Sequence, residues 1–222
     1  MRFPKIPLKT TLQDIEAVTE STGRVYTTPE GKKYPSVTTV LGYFKAQKIA
    51  EWRQRVGEEE ANKISRKATT RGTRIHTIAE NYINGTDWKE GCNPIELQFF
   101  EDIRKILDAR LEGVILQEAP LYSDFLKTAG RVDLVGVFDG KRSIIDFKTS
   151  LKVKKPEYIK DYFMQESFYA VAFEERTGIP VNQLVTIISV DHENPQVFIE
   201  RRDDHIRDFM AVRKSYGAAK GI

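Results

Sequence analysis

The order of elements in this sequence predicts an α/β fold, a mixed central sheet of about five strands flanked by helices, with an N-terminal helical lobe. Three observations carry that expectation. Helical patterns dominate up to about residue 112, and the apolar period then changes to that of strands over residues 113–148. A long helical stretch next separates those strands from two more, and a last helix follows.

Each element has a local reason. Residues 24–34, RVYTTPEGKKY, read as a short hairpin around Pro29-Glu30-Gly31. Ser36 is placed to cap a short helix through SVTTVLGYF, and a second helix runs from about Gln47. Residues 57–83 are helical in pattern up to Asn84-Gly85, a C-terminal stop. A further amphipathic helix over 95–112 follows Asn93-Pro94. Segments 113–122, 130–138 and 141–148 are rich in Val, Ile and Leu and broken by turn residues, as strands are. Pro156 opens a long helix to about Thr177-Gly178, strands follow at 184–190 and 196–201, and a helix occupies 203–219. With no internal repeat or low-complexity linker, residues 1–222 are expected to form one domain. Its expected parts are a hairpin and helical lobe (1–112), a catalytic sheet and helix (113–201) and a C-terminal helix (202–222).

Composition excludes several classes. With 40% hydrophobic and 30% charged residues among 222, the chain is neither disordered nor fibrous. No apolar run approaches the roughly 18 residues of a membrane helix, so no membrane partner is expected. The start, MRFPKIPLKT, lacks the apolar stretch of a secretory signal. A single cysteine, Cys92, rules out a disulfide, a four-cysteine zinc site and a cysteine-ligated iron–sulfur cluster within one chain. A reducing cytoplasm is the expected location. The balance of 35 basic and 32 acidic residues, net +3, is compatible with a local basic groove without demanding one.

The segment from Gly130 to Thr149 carries the chemistry. Asp139-Gly140 is a strong signal for a two-residue hairpin turn, which pairs Phe138 with Lys141. Carried along both strands, that register sets Asp133 opposite Asp146 on one face. Directly opposed carboxylates destabilise a strand pair, and the flanking Ile144 and Ile145 add a desolvation cost. A divalent cation held between them removes the repulsion, and hard oxygen ligands suit Mg²⁺ or Mn²⁺. Lys148, two residues beyond Asp146, shares its face and would set a cation or proton acceptor beside an attacking water. The alternative is a surface hairpin with two solvated aspartates and a lysine counter-charge.

Gly130-x-x-Asp133 followed by Asp146-x-Lys148-Thr149 resembles the PD-(D/E)XK nuclease superfamily, in particular its RecB-like exonuclease branch. Arg71-Gly72-Thr73-Arg74-Ile75-His76, with Glu80, is similar to the histidine helix of that branch, and Gln165-Glu166-Ser167-Phe168-Tyr169 to its Q-x-x-x-Y helix. Tyr34-Pro35-Ser36-Val37-Thr38 resembles the segment ahead of the nuclease core in a mitochondrial and phage subgroup. The resemblance spans about residues 34–190 and implies a restriction-endonuclease-like core. It also implies that His76, Asp133, Asp146 and the Phe147 carbonyl ligate the metal, and that Lys148 orients or deprotonates the attacking water. Gln165 and Tyr169 would position the lysine or the DNA. Glu118, on the strand expected beside the hairpin, is a further candidate ligand, able to support a second ion, or else a strand-edge charge.

The residues alone leave alternatives open. His76 lies at the edge of an apolar arc of Ile75, Ile78, Ala79, Tyr82 and Ile83, where a histidine can equally be a half-buried hydrogen-bonding residue. Gln165 falls within a stripe of Tyr158, Tyr162, Tyr169 and Phe173 that reads as core or as a base-stacking platform. Two basic stretches could track phosphates or be solvated faces. One is Lys63, Arg66, Lys67, Arg71 and Arg74; the other is Lys148, Lys152, Lys154, Lys155 and Lys160. His192 and His205 receive no role.

The sequence departs from parts of that family. Cys92 alone excludes the iron–sulfur branch, and Asp14, Glu16 and Glu20 are unlike a mitochondrial import segment, so a bacterial or phage-infected host cytoplasm is expected. No G-x-x-x-x-G-K-[ST] occurs, so no nucleotide cofactor is expected. The expectation is a Mg²⁺- or Mn²⁺-dependent DNA exonuclease acting on single-stranded DNA ends, with replication or recombination proteins as possible partners. A structure-selective or sequence-specific endonuclease on the same fold, or a DNA-binding scaffold that does not cut, are the alternatives.

Overall fold

A computed structural model describes residues 2–222. Strands β1 (Ala17–Glu20), β2 (Gly23–Thr27) and β3 (Lys33–Pro35) form a small antiparallel sheet. The hairpin expected at 24–34 is β2–β3, with Tyr26 opposite Tyr34 and Gly31 in the left-handed region at φ 78°. Strand β1, joined to β2 by the turn at Ser21-Thr22, adds an element to that hairpin.

Four helices follow, α1 (Val37–Tyr43), α2 (Ala46–Val56), α3 (Glu58–Asn84) and α4 (Pro94–Arg110). Ser36 caps α1 by accepting the Thr39 N–H at 3.0 Å. Gly85, left-handed at φ 73°, ends α3, and Asn93 with Glu96 forms a reciprocal capping box on α4. All five residues of the apolar arc on α3, Ile75 to Ile83, are buried.

The main sheet runs β4 (Leu111–Ser123), β5 (Thr128–Phe138), β6 (Lys141–Ser150), β7 (Gln183–Val190) and β8 (Gln196–Arg201), in that spatial order. Only β6–β7 is parallel, as a strand–helix–strand connection through α5 (Lys160–Thr177) requires. Helix α6 (Arg202–Lys220) closes the chain. One core layer joins Ile78, Phe100 and Ile103 of α3 and α4 to Leu134, Ile145 and Phe147 on one sheet face. The other joins Phe168 and Phe173 of α5 and Phe209 of α6 to Val135, Ile144 and Leu184 on the opposite face. Helices thus cover both faces of a mixed sheet.

Two details differ from expectation. The long helix expected from Pro156 is interrupted: a single 3-10 turn, Pro156–Tyr158, is separated from α5 by Ile159 at φ −122°, ψ 20°. At the break, Ile159 is buried with Phe163, Ile188 and Val190. The N-terminal segment also has a place, since Ile6 and Pro4 exchange backbone hydrogen bonds of 2.8 Å with Val114 and so cover the β4 edge.

Candidate metal and active site

The Asp139-Gly140 turn sets the expected register, with Phe138 opposite Lys141 and Leu134 opposite Ile145. The ladder ends there, one pair before the aspartates. Strand β5 continues alongside β4 to Thr128, and β6 continues alongside β7 to Ser150, so the sheet splits at Asp133 and Asp146. Two buried carboxylates set opposite each other disfavour a closed ladder. The Phe147 N–H points into the split and donates to Asp133 Oδ2 at 2.9 Å. In an extended strand the carbonyl of the same residue faces the same edge, so Phe147 O also looks into the gap.

Glu118 stands in register with this pair. It falls between Gln117, opposite Leu134, and Ala119, opposite Val132, and so faces Asp133. Glu118, Asp133 and Asp146 therefore lie at one level across three adjacent strands. Glu118 itself is a non-glycine residue in the left-handed region, at φ 44°, and the Arg131 guanidinium donates to its carbonyl. Such strain persists only where surrounding contacts impose it, and here it accompanies a carboxylate turned toward α3.

His76 reaches the same point from α3. Its Nδ1 is 3.4 Å from Asp133 Oδ1 and 3.7 Å from Glu118 Oε1, and one ligand atom from each of these three residues fits within 4.8 Å of the others. Burial disfavours the imidazolium, but Asp133 and Glu118 outweigh it and hold the His76 pKa up at about 10. Burial likewise opposes ionisation of Asp133, yet His76 and the Phe147 N–H keep its pKa below the ordinary aspartate value. A groove of about 630 Å³, lined by Leu12, Glu80, Gln117 and Arg131 among others, opens beside Glu118.

Asp146 sits on the far side of the split, 2% exposed, in ionic contact with Lys148 and 3.4 Å from the Gln165 amide nitrogen. Burial raises its pKa to about 6 despite Lys148, with Asp133 adding to the rise. Burial also penalises the Lys148 ammonium, but Asp146 and Asp133 raise its pKa above the usual lysine value. Its Nζ lies 5.1 Å from the centre of the Tyr162 ring. Asp146 is thus paired with Lys148 rather than joined to the His76 cluster, because a buried carboxylate requires a partner.

Tyr169 is buried on α5, above Gly130. A Cβ at Gly130 would come within 2.8 Å of the Tyr169 hydroxyl, so the glycine of the Gly130-x-x-Asp133 motif is what lets α5 close over β5. Glu166 received no role from the sequence, though it shares a stripe with Tyr162, Tyr169 and Phe173 at helical spacing. It is fully buried, bonded to the Thr186 hydroxyl through Oε1 and without a partner at Oε2 among the described residues, and burial pushes its pKa well up. An acidic residue in an apolar helical stripe was the signal.

The basic candidates separate. Arg71 spans α3 and β6, donating to Thr149 Oγ1 at 3.1 Å and lying 5.3 Å from the Phe99 ring. Arg74 instead turns to the α4 cap, bonded to Glu96 and to the Gly91 carbonyl at 2.7 Å. Lys152, Lys154 and Lys155 form no ion pair among the described residues, and they lie in the connection from β6 to α5.

The donor set fits a hard divalent cation. Carboxylates and a carbonyl are the ligands such ions prefer, and His76, Glu118 and Asp133 each bring one ligand atom to within 4.8 Å of the others. No helix among the described residues is long and apolar enough to cross a membrane.

No protein-family model matches the chain, and no curated protein matches it. Among solved structures, the crystal structure of an Eubacterium rectale protein named as a candidate exonuclease is similar, with a TM-score of 0.47 and 11% identity. The match covers 65% of this chain and 64% of that one, less than two thirds of the neighbour's length. A likeness that weak bears on neither activity nor substrate.

Proposed function

We propose that this protein is a divalent-metal-dependent DNA exonuclease of the PD-(D/E)XK type, acting on ends of single-stranded DNA. The observation that carries the reading is the row of Glu118, Asp133 and Asp146 across three strands where the sheet splits, with His76 on one side and Lys148 on the other. The motif resemblance of the sequence supports it independently. Asp133, His76, Asp146, Glu118 and the Phe147 carbonyl are the residues that would hold Mg²⁺ or Mn²⁺. When bound, such an ion polarises a phosphate oxygen and acidifies water.

The chain's own groups do the remaining work. Lys148 orients the attacking water and offers its charge to the phosphate. Gln165 keeps Asp146 in place through its amide, and Tyr169 fixes the helix that carries Gln165. The water oxygen attacks phosphorus, the bond to the leaving sugar oxygen breaks, and that oxygen is protonated while the water loses a proton to solvent.

End-labelled linear DNA, matched duplex and covalently circular single strands, each with Mg²⁺, test the reading. Linear strands should be degraded and circles spared, and Asp146→Ala should slow cleavage by about 10³-fold or more, as loss of several kcal/mol of charge stabilisation requires. Cutting of circles would establish an endonuclease. Binding without any cutting would leave a DNA-holding scaffold.

A further inference from the structure

The connection between β6 and α5, residues 151–159, starts three residues after Lys148 and ends three residues before Tyr162, the ring beside the Lys148 ammonium. Both of its ends are therefore anchored at the candidate site. Between them the chain displays what folding normally hides. Tyr158 is 74% exposed, Leu151 59% and Val153 56%. The sequence placed Tyr158 in a helical stripe with Tyr162, but the break at Ile159 takes it out of that stripe and into solvent.

This exposure is not slack in a loose loop. Ser150 Oγ accepts the Lys152 N–H at 3.2 Å and donates to the Lys152 carbonyl at 2.6 Å. The Gln196 side chain on β8 accepts the Lys154 N–H at 2.7 Å and donates to its carbonyl at 2.9 Å. Pro156 opens a closed turn in which Tyr158 N–H bonds the Lys155 carbonyl at 3.0 Å, and buried Ile159 nails down its end. The apolar side chains are thus held outward by a backbone with little freedom left to lose.

The charge around them has one sign. Residues 151–160 contain four lysines (152, 154, 155 and 160) against a single acid, Glu157, and the next acid, Asp161, is paired with Lys45. A flat aromatic ring set among unpaired cations matches a chain with phosphates along its backbone and bare π-faces on its bases. A duplex has its base faces covered by neighbouring pairs, whereas an unpaired strand offers them.

We infer that Tyr158 is a nucleobase-stacking site, which with Lys152, Lys154 and Lys155 grips single-stranded nucleic acid beside the candidate centre. The inference rests on the nuclease reading only for the kind of ligand; the grip itself needs no metal and no cleavage.

The test is fluorescence anisotropy in EDTA, using a labelled oligothymidylate and an abasic oligomer with the same number of phosphates. The native protein should bind the thymidylate more tightly than the abasic strand. Tyr158→Ala should weaken thymidylate binding about tenfold and change abasic binding less than twofold, while Tyr158→Phe and Tyr158→Trp keep the native preference. The inference is overturned if the native protein does not favour bases. Equal effects of Tyr158→Ala on both strands, or Tyr158→Phe binding as weakly as Tyr158→Ala, would also overturn it. Cleavage of the same thymidylate with Mg²⁺ separates the two proposals. A protein that cuts without this Tyr158 dependence keeps the nuclease reading and loses the stacking site; one that shows the dependence and never cuts does the reverse.

Discussion

Single residues decide whether the candidate site can assemble. Asp133 and Asp146 have the same chemistry and are both buried, but they have different neighbours. His76 and a backbone amide hold the Asp133 pKa down, while burial lifts that of Asp146 to about 6. Gly130 acts by what it lacks, since an added Cβ would meet the Tyr169 hydroxyl at 2.8 Å and Val37 at 3.1 Å. The ring is buried and cannot swing away, so Gly130→Ala should cost about 1–3 kcal/mol of stability by overpacking. Chemical denaturation measures it, and an unchanged midpoint would show that α5 yields freely at that point.

At the scale of elements, the site depends on a helix arriving at a fixed height over a sheet that opens. Helix α3 carries His76, and α4 packs beside it in the same core layer. The α4 start is tied down by the Asn93–Glu96 capping box, and the same Glu96 carboxylate receives Arg74 of α3 at 3.2 Å. Asn93→Ala should lower stability by about 1 kcal/mol, whereas Asn93→Gly should cost only a few tenths, because glycine tolerates the cap backbone. Equilibrium unfolding of the two variants side by side makes the comparison; equal losses would place the stability elsewhere than in the cap. The turn at Asp139-Gly140 shows the opposite behaviour to Glu118. A hairpin register propagates from its turn along the chain, so local chemistry reached Leu134 and Ile145 without help. Nothing local announces a left-handed glutamate in the middle of β4.

For the whole molecule, the candidate ligands come from α3, β4, β5 and β6, so a cation held by them would be linked to folding. Added Mg²⁺ or Mn²⁺ should raise the melting temperature by mass action. The gain should grow with pH, because His76 must lose a proton to become a ligand and its pKa without metal is held at about 10. Without metal the same raised pKa works in the other direction. The charged imidazole stabilises the fold fully below about 6.5, and that contribution is lost as pH climbs toward about 10. Melting curves across this range, with His76→Gln as control, check both trends. A metal-induced gain that ignores pH would remove His76 from the ligand set.

The chain alone determined whatever depends on neighbours in sequence. Caps at Ser36, Asn93 and Gly85, the change of period near residue 112 and the Asp139-Gly140 register all follow from short-range sterics and hydrogen bonding. That register was enough to set Asp133 and Asp146 at one level. Tertiary structure decided where the ladder ends, that Glu118 joins the row through a strained backbone, and that Arg74 turns to Glu96 instead of outward. It also decided that Tyr158 leaves its stripe and that Glu166 is buried within it. Each of those outcomes depends on a desolvation cost or a distant partner, and neither exists until the layers have packed.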